Sequence, residues 1–190
     1  MAPLAGGHYQ VVLGGRLASG ALADKLLIFE SDGKSQKHDA APRLDPALVD
    51  YANGVFAMGG FDAKGAPLST TSFIQLYQST DGSPPPGTAS PHLSVARGEL
   101  CAVKLNNNSV LAVGGRAASG ASTATDLFSA ASNSGLVVQV ADPLNTARYL
   151  HTCTLLENGM LVVAGGIDAK GQATETIEIY TPKPIDYPAW

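Results

Sequence analysis

The 190-residue chain is short of charge. Lys, Arg, Asp and Glu make up 15% of it, against roughly 25% in an average globular protein. The formal balance is −4. With no basic excess to set against a phosphate backbone, nucleic acid is not an expected partner. No apolar run approaches the roughly 18–20 residues of a membrane span, so none is expected. There are only two cysteines, Cys101 and Cys153, and neither stands in a CxxC or other zinc-like spacing. The chain has no GxSxG, no HExxH and no phosphate-cradling GxxxxGK[ST]. Its four histidines, His8, His38, His92 and His151, are scattered rather than arranged to converge. The sequence therefore assigns no catalytic residue, no metal and no cofactor. Met1-Ala2-Pro3-Leu4 lacks the charged start and long apolar core of a leader, so the signal of an exported form would be missing from this chain.

What the chain has in quantity is apolar residues, 45%, and 21 glycines. That profile suits an all-β protein with many tight turns. Four Gly-Gly pairs stand out: Gly14-Gly15, Gly59-Gly60, Gly114-Gly115 and Gly165-Gly166, at spacings of 45, 55 and 51 residues. Each closes a short run rich in Val, Leu, Ala or Met, such as Val110-Leu111-Ala112-Val113. Runs this short, stopped by glycine, read as buried strands rather than helices. An aromatic residue follows each pair: Phe29, Tyr77, Phe128 and Tyr180, at 14, 17, 13 and 14 residues after the second glycine. Upstream of three pairs lies another strand and a turn, at Asn53-Gly54, Asn106-Asn107-Asn108-Ser109 and Asn158-Gly159. The Asn-Gly dipeptides read as type I′ turns, with positive φ at both positions. An arginine precedes each upstream strand: Arg43, Arg97 and Arg148, at 16, 17 and 17 residues before the pair.

The segment from Thr146 through Arg148, Asn158-Gly159 and Gly165-Gly166 to Tyr180-Thr181-Pro182 resembles a bacterial kelch repeat, and the four units in register extend the resemblance over nearly the whole chain. The resemblance implies an all-β, kelch-like β-propeller of about four four-stranded antiparallel blades, at residues 1–42, 43–96, 97–147 and 148–190. In each blade strand A is innermost, strand B ends in Gly-Gly, strand C ends near the aromatic and strand D is outermost. The first blade is incomplete, since only Met1 to Ala5 precede Gly6-Gly7. Kelch blades usually carry a Trp on strand D, and the single Trp190 can be that of the fourth blade; Leu136-Val137-Val138-Gln139-Val140 is a candidate strand D of the third. Kelch rings commonly have six or seven blades, so closure stays open among three readings: a piece of a longer propeller, a ring completed by a second copy or another chain, or a compact four-bladed ring.

The loops after the glycine pairs alternate. Gly-Gly-Arg16-Leu-Ala-Ser-Gly matches Gly-Gly-Arg116-Ala-Ala-Ser-Gly, and Gly-Gly-Phe-Asp62-Ala-Lys64-Gly matches Gly-Gly-Ile-Asp168-Ala-Lys170-Gly. Duplication of a two-blade cassette accounts for this. These B–C loops, with the D–A connections, share one face, and loops on a rigid scaffold are favoured binding sites. Arg16, Asp62, Lys64, Arg116, Asp168 and Lys170 are the candidate binding residues: any one of them alone reads first as a solvated turn charge, and the face as a whole reads as a binding surface. Kelch proteins commonly bind peptides or proteins on this face, so the resemblance implies a non-catalytic module with a protein or peptide partner. Two alternatives stand beside it: a carbohydrate-active or other enzyme with a site at the axis, and a structural subunit that completes a larger assembly. Galactose-oxidase-like enzymes share such blades, but their copper ligands have no counterpart here. The repeated arginines are expected to pack or hydrogen-bond between blades, and His151, early in an inner strand, to be structural. Counting back from the glycine pairs puts the cysteines at 13 and 12 residues. With one extra residue in the third turn, they take matching positions on neighbouring inner strands. Free cysteines filling core space are the expectation; a disulfide is open if the Cα atoms come within about 7 Å. Low charge and abundant Ser, Thr, Ala and Gly resemble exported bacterial kelch proteins, which suggests an extracytoplasmic location.

Overall fold

The computed structural model describes residues 2–3, 9–30, 32–51, 54–75, 91–131 and 135–182. Among these there is no helix. The chain is all-β and is organised as small antiparallel sheets. Sheet 1 contains β1 (Ala2–Pro3), β2 (Tyr9–Leu13), β3 (Lys25–Glu30) and β4 (Ser35–Asp39) in that order. Sheet 2 contains β5 (Ala47–Tyr51), β6 (Gly54–Met58) and β7 (Thr71–Gln75). A small separate sheet is formed by β8 (Arg97–Gly98), β11 (Arg116–Ala117) and β12 (Gly120–Ala121). Sheet 3 is β9 (Cys101–Lys104), β10 (Val110–Val113), β13 (Thr125–Ala131) and β14 (Gly135–Val140). Sheet 4 is β15 (Thr152–Leu155), β16 (Leu161–Ala164) and β17 (Ile177–Tyr180). Each larger sheet is a meander in sequence order, and β2, β6, β10 and β16 each stop at a Gly-Gly pair.

The sheets stack in chain order through three apolar layers. Val11, Leu13, Leu26 and Ile28 of sheet 1 meet Val55 and Ala57 of sheet 2. From the other face of sheet 2, Val49, Phe56 and Met58 meet Val110, Ala112 and Phe128 of sheet 3. Leu111, Val113 and Leu127 then meet Leu161 and Val163 of sheet 4. The alternation of side chains along a strand is what lets each inner sheet feed two layers, one per face. The first strands stand side by side: β1 against β5, β5 against β9, β9 against β15. Among the described residues no comparable contact returns from β15 to β1.

Pairing register aligns the units more strictly than spacing does. Phe128 pairs with Val110, Tyr180 with Leu161 and Phe29 with Gln10, each on the strand that ends in the glycine pair. Phe128 and Tyr180 face the sheet before their own. Phe128 is buried there and Tyr180 packs in its layer. Phe29 belongs to the first sheet and is 46% exposed. In sheet 2 the corresponding place, opposite Val55, is taken by Ile74; Tyr77 lies outside the described residues, as do Gly6-Gly7, His8, Asn53 and Trp190. Val137 and its neighbours do form an outer strand, β14, and β4 is a second one that composition did not mark.

The described Asn158-Gly159 turn differs from the expected type I′. Asn158 does not take a positive φ; Gly159 does, at 82°, and its N–H donates to Leu156 O. This is a type I turn followed by one left-handed residue. Asn108, at φ 61°, holds the same place in the third unit. Both loops therefore have five residues, 105–109 and 156–160, and no residue is extra. That overturns the matching of the cysteines. Cys101 pairs with Val113, as Thr152 does with Ala164, while Cys153 pairs with Val163. A one-residue offset reverses the side-chain direction, so Cys101 faces sheet 4 and Cys153 faces sheet 3. They are not free: they form a disulfide across this layer, with Cα atoms 6.1 Å apart.

The arginine side chains bind both within and between units. Each donates to a carbonyl two residues back, at the end of the unit before: Arg43 to Ala41 O at 3.4 Å, Arg97 to Val95 O at 3.0 Å and Arg148 to Thr146 O at 3.4 Å. Their other bonds lie inside their own unit. Arg97 donates to Gly114 O at 2.7 Å and pairs with Asp126 at 2.8 Å. Arg148 donates to Gly165 O at 3.0 Å and pairs with Glu178 at 2.8 Å. Arg43 donates to Gly59 O at 3.1 Å and to the Ser72 hydroxyl at 3.0 Å. All three guanidinium-bearing residues are almost fully buried. The backbone crosses between units as well. The carbonyls of Arg43, Arg97 and Arg148 accept the N–H of Gly15, Gly60 and Gly115. The first glycine of the first three pairs lies against the same carbonyl, so a Cβ on Gly59 would overlap Arg97 O, and one on Gly14 would overlap Arg43 O.

Candidate functional site

The loops that follow β2, β6 and β16 share one hairpin-like form, closed by Leu17 N–H to Ala21 O, Asp62 N–H to Ala66 O and Asp168 N–H to Gln172 O. The loop after β10 is one residue tighter, with Arg116 paired to Ala121 where Arg16 pairs with Leu22. Asp62 Oδ1 accepts the N–H groups of Lys64 and Ala66 at 2.8 and 2.9 Å. Asp168 Oδ1 accepts those of Lys170 and Gln172 at 2.8 and 3.0 Å. The N–H of Gln172, then that of Lys170, holds the Asp168 carboxyl below its ordinary pKa. The two aspartates thus build their turns, which is what separates the Asp-Ala-Lys-Gly loops from the Ala-Ser-Gly ones. Lys64 and Lys170 are exposed, and no salt bridge or side-chain hydrogen bond engages their ammonium groups among the described residues.

The two loop arginines join loops to one another. Arg16 donates to Gly20 O at 3.0 Å and reaches Ala63 O of the next loop at 3.3 Å. Arg116 grips both carboxylate oxygens of Glu99, at 2.6 and 3.0 Å. Its guanidinium lies 4.6 Å from the Phe61 ring centroid and 5.7 Å from that of Tyr149. Hydrogen bonding to Glu99 raises the Arg116 pKa above its usual value. One side chain therefore ties together the second, third and fourth units.

Sequence reasoning missed the partners of this cluster, and it missed a repeated backbone feature beside them. Asp45, Glu99 and Leu150 each stand two residues after a repeated arginine, with φ of 46°, 52° and 55°. A non-glycine residue in the left-handed region is uncommon and is held only where its surroundings enforce it. Here they are linked: Glu99 N–H donates to Asp45 O at 3.2 Å, and Leu150 N–H to Glu99 O at 3.0 Å. Leu150 is 58% exposed, and Leu17 is exposed on the loop of the first unit. The only signal was positional: each follows the arginine by two, and a count of residue types does not reveal φ.

Behind this rim lies His151. It is buried, and both ring nitrogens lack a hydrogen bond of good geometry. Its ring occupies the space that a Cβ on Gly114 would need. Burial first, then the Arg148 charge, pushes its pKa down to about 4 from 6.5, against a weak upward pull from the Val113 backbone. Unfolded chains take up the proton near pH 6.5 and the folded chain does not, so stability is full above that pH. It falls as the pH drops towards about 4. A shift of this size corresponds to about 3 kcal/mol at its limit. Denaturant unfolding at pH 7 and pH 4 is expected to show such a loss, and His151→Gln is expected to flatten it; an equal pH slope in both proteins would contradict the assignment.

No protein-family model matches the chain, and no curated protein sequence does. Among solved structures, one described as the structure of YjhT matches with a TM-score of 0.57 at 15% identity, over 84% of this chain and 50% of that one. The chain thus spans about half the length of that structure, and the likeness is one of fold.

Proposed function

We propose that sheets 1 to 4 are consecutive blades of a kelch-like β-propeller, and that the chain is a non-catalytic binding module for a protein or peptide. Its recognition surface is the face formed by the four glycine-pair loops and the strained residues Asp45, Glu99 and Leu150. The observation that carries this reading is the construction of that face. Arg116 beside Phe61 and Tyr149 joins three units, while the same set of loops and connections carries exposed Leu17 and Leu150 and the uncommitted Lys64 and Lys170. A rigid base with apolar and cationic groups left unpaired suits an extended peptide carrying acidic and apolar side chains. Aspartates that cap their own turns position this surface rather than bind. Selection from a random displayed-peptide library is expected to yield binders whose affinity falls at least about tenfold, or about 1.4 kcal/mol, for Leu150→Asp or Lys170→Glu. Lys34→Glu, in the β3–β4 turn, is expected to leave affinity unchanged. Binders that tolerate both face variants would refute the reading.

A second reading, a subunit of a larger assembly, is favoured by the two end faces. Phe29 is half-exposed on one, and Ile177 and Ile179, at 65% and 57% exposure, on the other, although the places equivalent to Phe29 are covered in the inner sheets. Light scattering of the purified chain separates the cases: a mass well above 19.4 kDa supports assembly, and a stable monomer counts against it.

A further inference from the structure

The layer between sheets 3 and 4 holds, among the described residues, the one cluster of three side chains able to ligate a metal: Cys101, His151 and Cys153, with donor atoms all within 4.8 Å of one another. His151 and Cys153 are two residues apart and so share a face near the start of β15, and Cys101 on β9 points back at them. The histidine is the second, independent sign. It is about nine-tenths buried, it has no satisfied nitrogen, and the absence of a side chain at Gly114 makes its place. A buried imidazole without a partner is rare and calls for an explanation. The cysteines, by contrast, are only partly buried, which leaves a solvent side to the cluster.

We propose that this cluster is a redox-gated zinc site: closed as the Cys101–Cys153 disulfide, and opened by a dithiol reductant to bind zinc through both sulfurs and one His151 nitrogen, with water as the fourth ligand. In the reductive step the dithiol passes two electrons and two protons to the disulfide and leaves as its own disulfide. Zinc then displaces the two thiol protons to solvent. Zn–S bonds of about 2.3 Å and a Zn–N bond of about 2.0–2.1 Å in a tetrahedron place the donors roughly 3.5–3.8 Å apart. The sulfurs must separate to reach that spacing, and the imidazole must approach by about 1 Å. Strands whose Cα atoms are 6.1 Å apart can carry either link. Two thiolates and an imidazole favour zinc over hard cations. Disulfide and zinc would then be alternative staples for the same two sheets.

The test is zinc binding to the full chain, with and without a dithiol, in competition with a chromophoric chelator, and with cobalt(II) as the spectroscopic probe. The reduced protein is expected to take up one zinc per chain, and cobalt is expected to give tetrahedral bands with sulfur-to-metal charge transfer. The oxidised protein is expected to bind neither. His151→Gln should weaken zinc by about a hundredfold or more, beyond the tenfold to hundredfold of a lost supporting partner. Cys101→Ser should abolish the charge-transfer bands. If reduction alone loosens the fold, stoichiometric zinc must restore it, since ligand binding and folding are then one process. Failure to restore it, absence of stoichiometric binding after reduction, or equal binding by His151→Gln or by the oxidised chain would overturn the proposal.

Discussion

Asp126→Ala is expected to destabilise the protein by about 3–5 kcal/mol, the range for removing one partner of a buried ion pair. Asp126 and Arg97 have no exposed side-chain surface. Asp126 Oδ2 also accepts the Ser94 N–H at 3.1 Å, so the mutation strands a charged guanidinium and a backbone donor together. Burial already pulls the Arg97 pKa down, and the Asp126 charge works against that pull. The other units grade the effect. Glu178 keeps some solvent contact, and its pKa falls because hydrogen bonds from Asn145, Thr146 and Arg148 outweigh the upward push of burial. Glu178→Ala should therefore cost less than Asp126→Ala. Ser72→Ala, at the neutral third position, should cost about 1 kcal/mol. Urea unfolding of the three variants checks this order. Equal losses, or a silent Asp126→Ala, would mean that the arginine does not lean on its acid.

Gly59→Ala is expected to be the most damaging glycine substitution, at about 4 kcal/mol or more, a size seen only where a specific contact fails. The new Cβ would overlap the Arg97 carbonyl and press on Leu93 and Leu100. That carbonyl is also the acceptor for Gly60 N–H, so relief by movement would break the link between units. Gly165 is the internal control. Its φ of 67° is as left-handed as the 60° of Gly59, but no atom stands within 4 Å of its missing Cβ. Gly165→Ala should therefore show only the backbone term, about 1 kcal/mol. The difference between the two, read from thermal or urea unfolding, isolates the packing between units from glycine conformation. A small loss at Gly59 would mean that the joint is not built on that carbonyl.

Much of the fold was legible because it rests on local rules. A short apolar run closed by two glycines marks a strand wherever it occurs, and repetition at a near-constant period fixed which strands are equivalent. The errors arose where equivalence depended on register. Counting aromatics selected Tyr77, while pairing puts Ile74 opposite Val55, because loop length varies and register does not. An assumed extra residue in one turn matched Cys101 with Cys153, and only the equal five-residue turns show them on opposed faces. The repeated arginines were visible, but most of their acceptors are backbone carbonyls, which carry no sequence signal. Of the candidate surface, the charges could be read, and the roles could not. Asp62 and Asp168 spend their carboxylates on their own turns. The aromatic pair around Arg116 comes from two other units, and the positive φ of Asp45, Glu99 and Leu150 is imposed by tertiary contacts.

The most direct measurement is hydrogen–deuterium exchange of the protein with and without a selected peptide. If the glycine-pair loops form the recognition face, protection appears at residues 15–21, 61–66, 116–121 and 167–172 and around Asp45, Glu99 and Leu150. The turns at 32–34, 105–109 and 156–160, at the other ends of the strands, keep their exchange rates. Protection confined to those turns, or to the outer strand β14, would contradict the account.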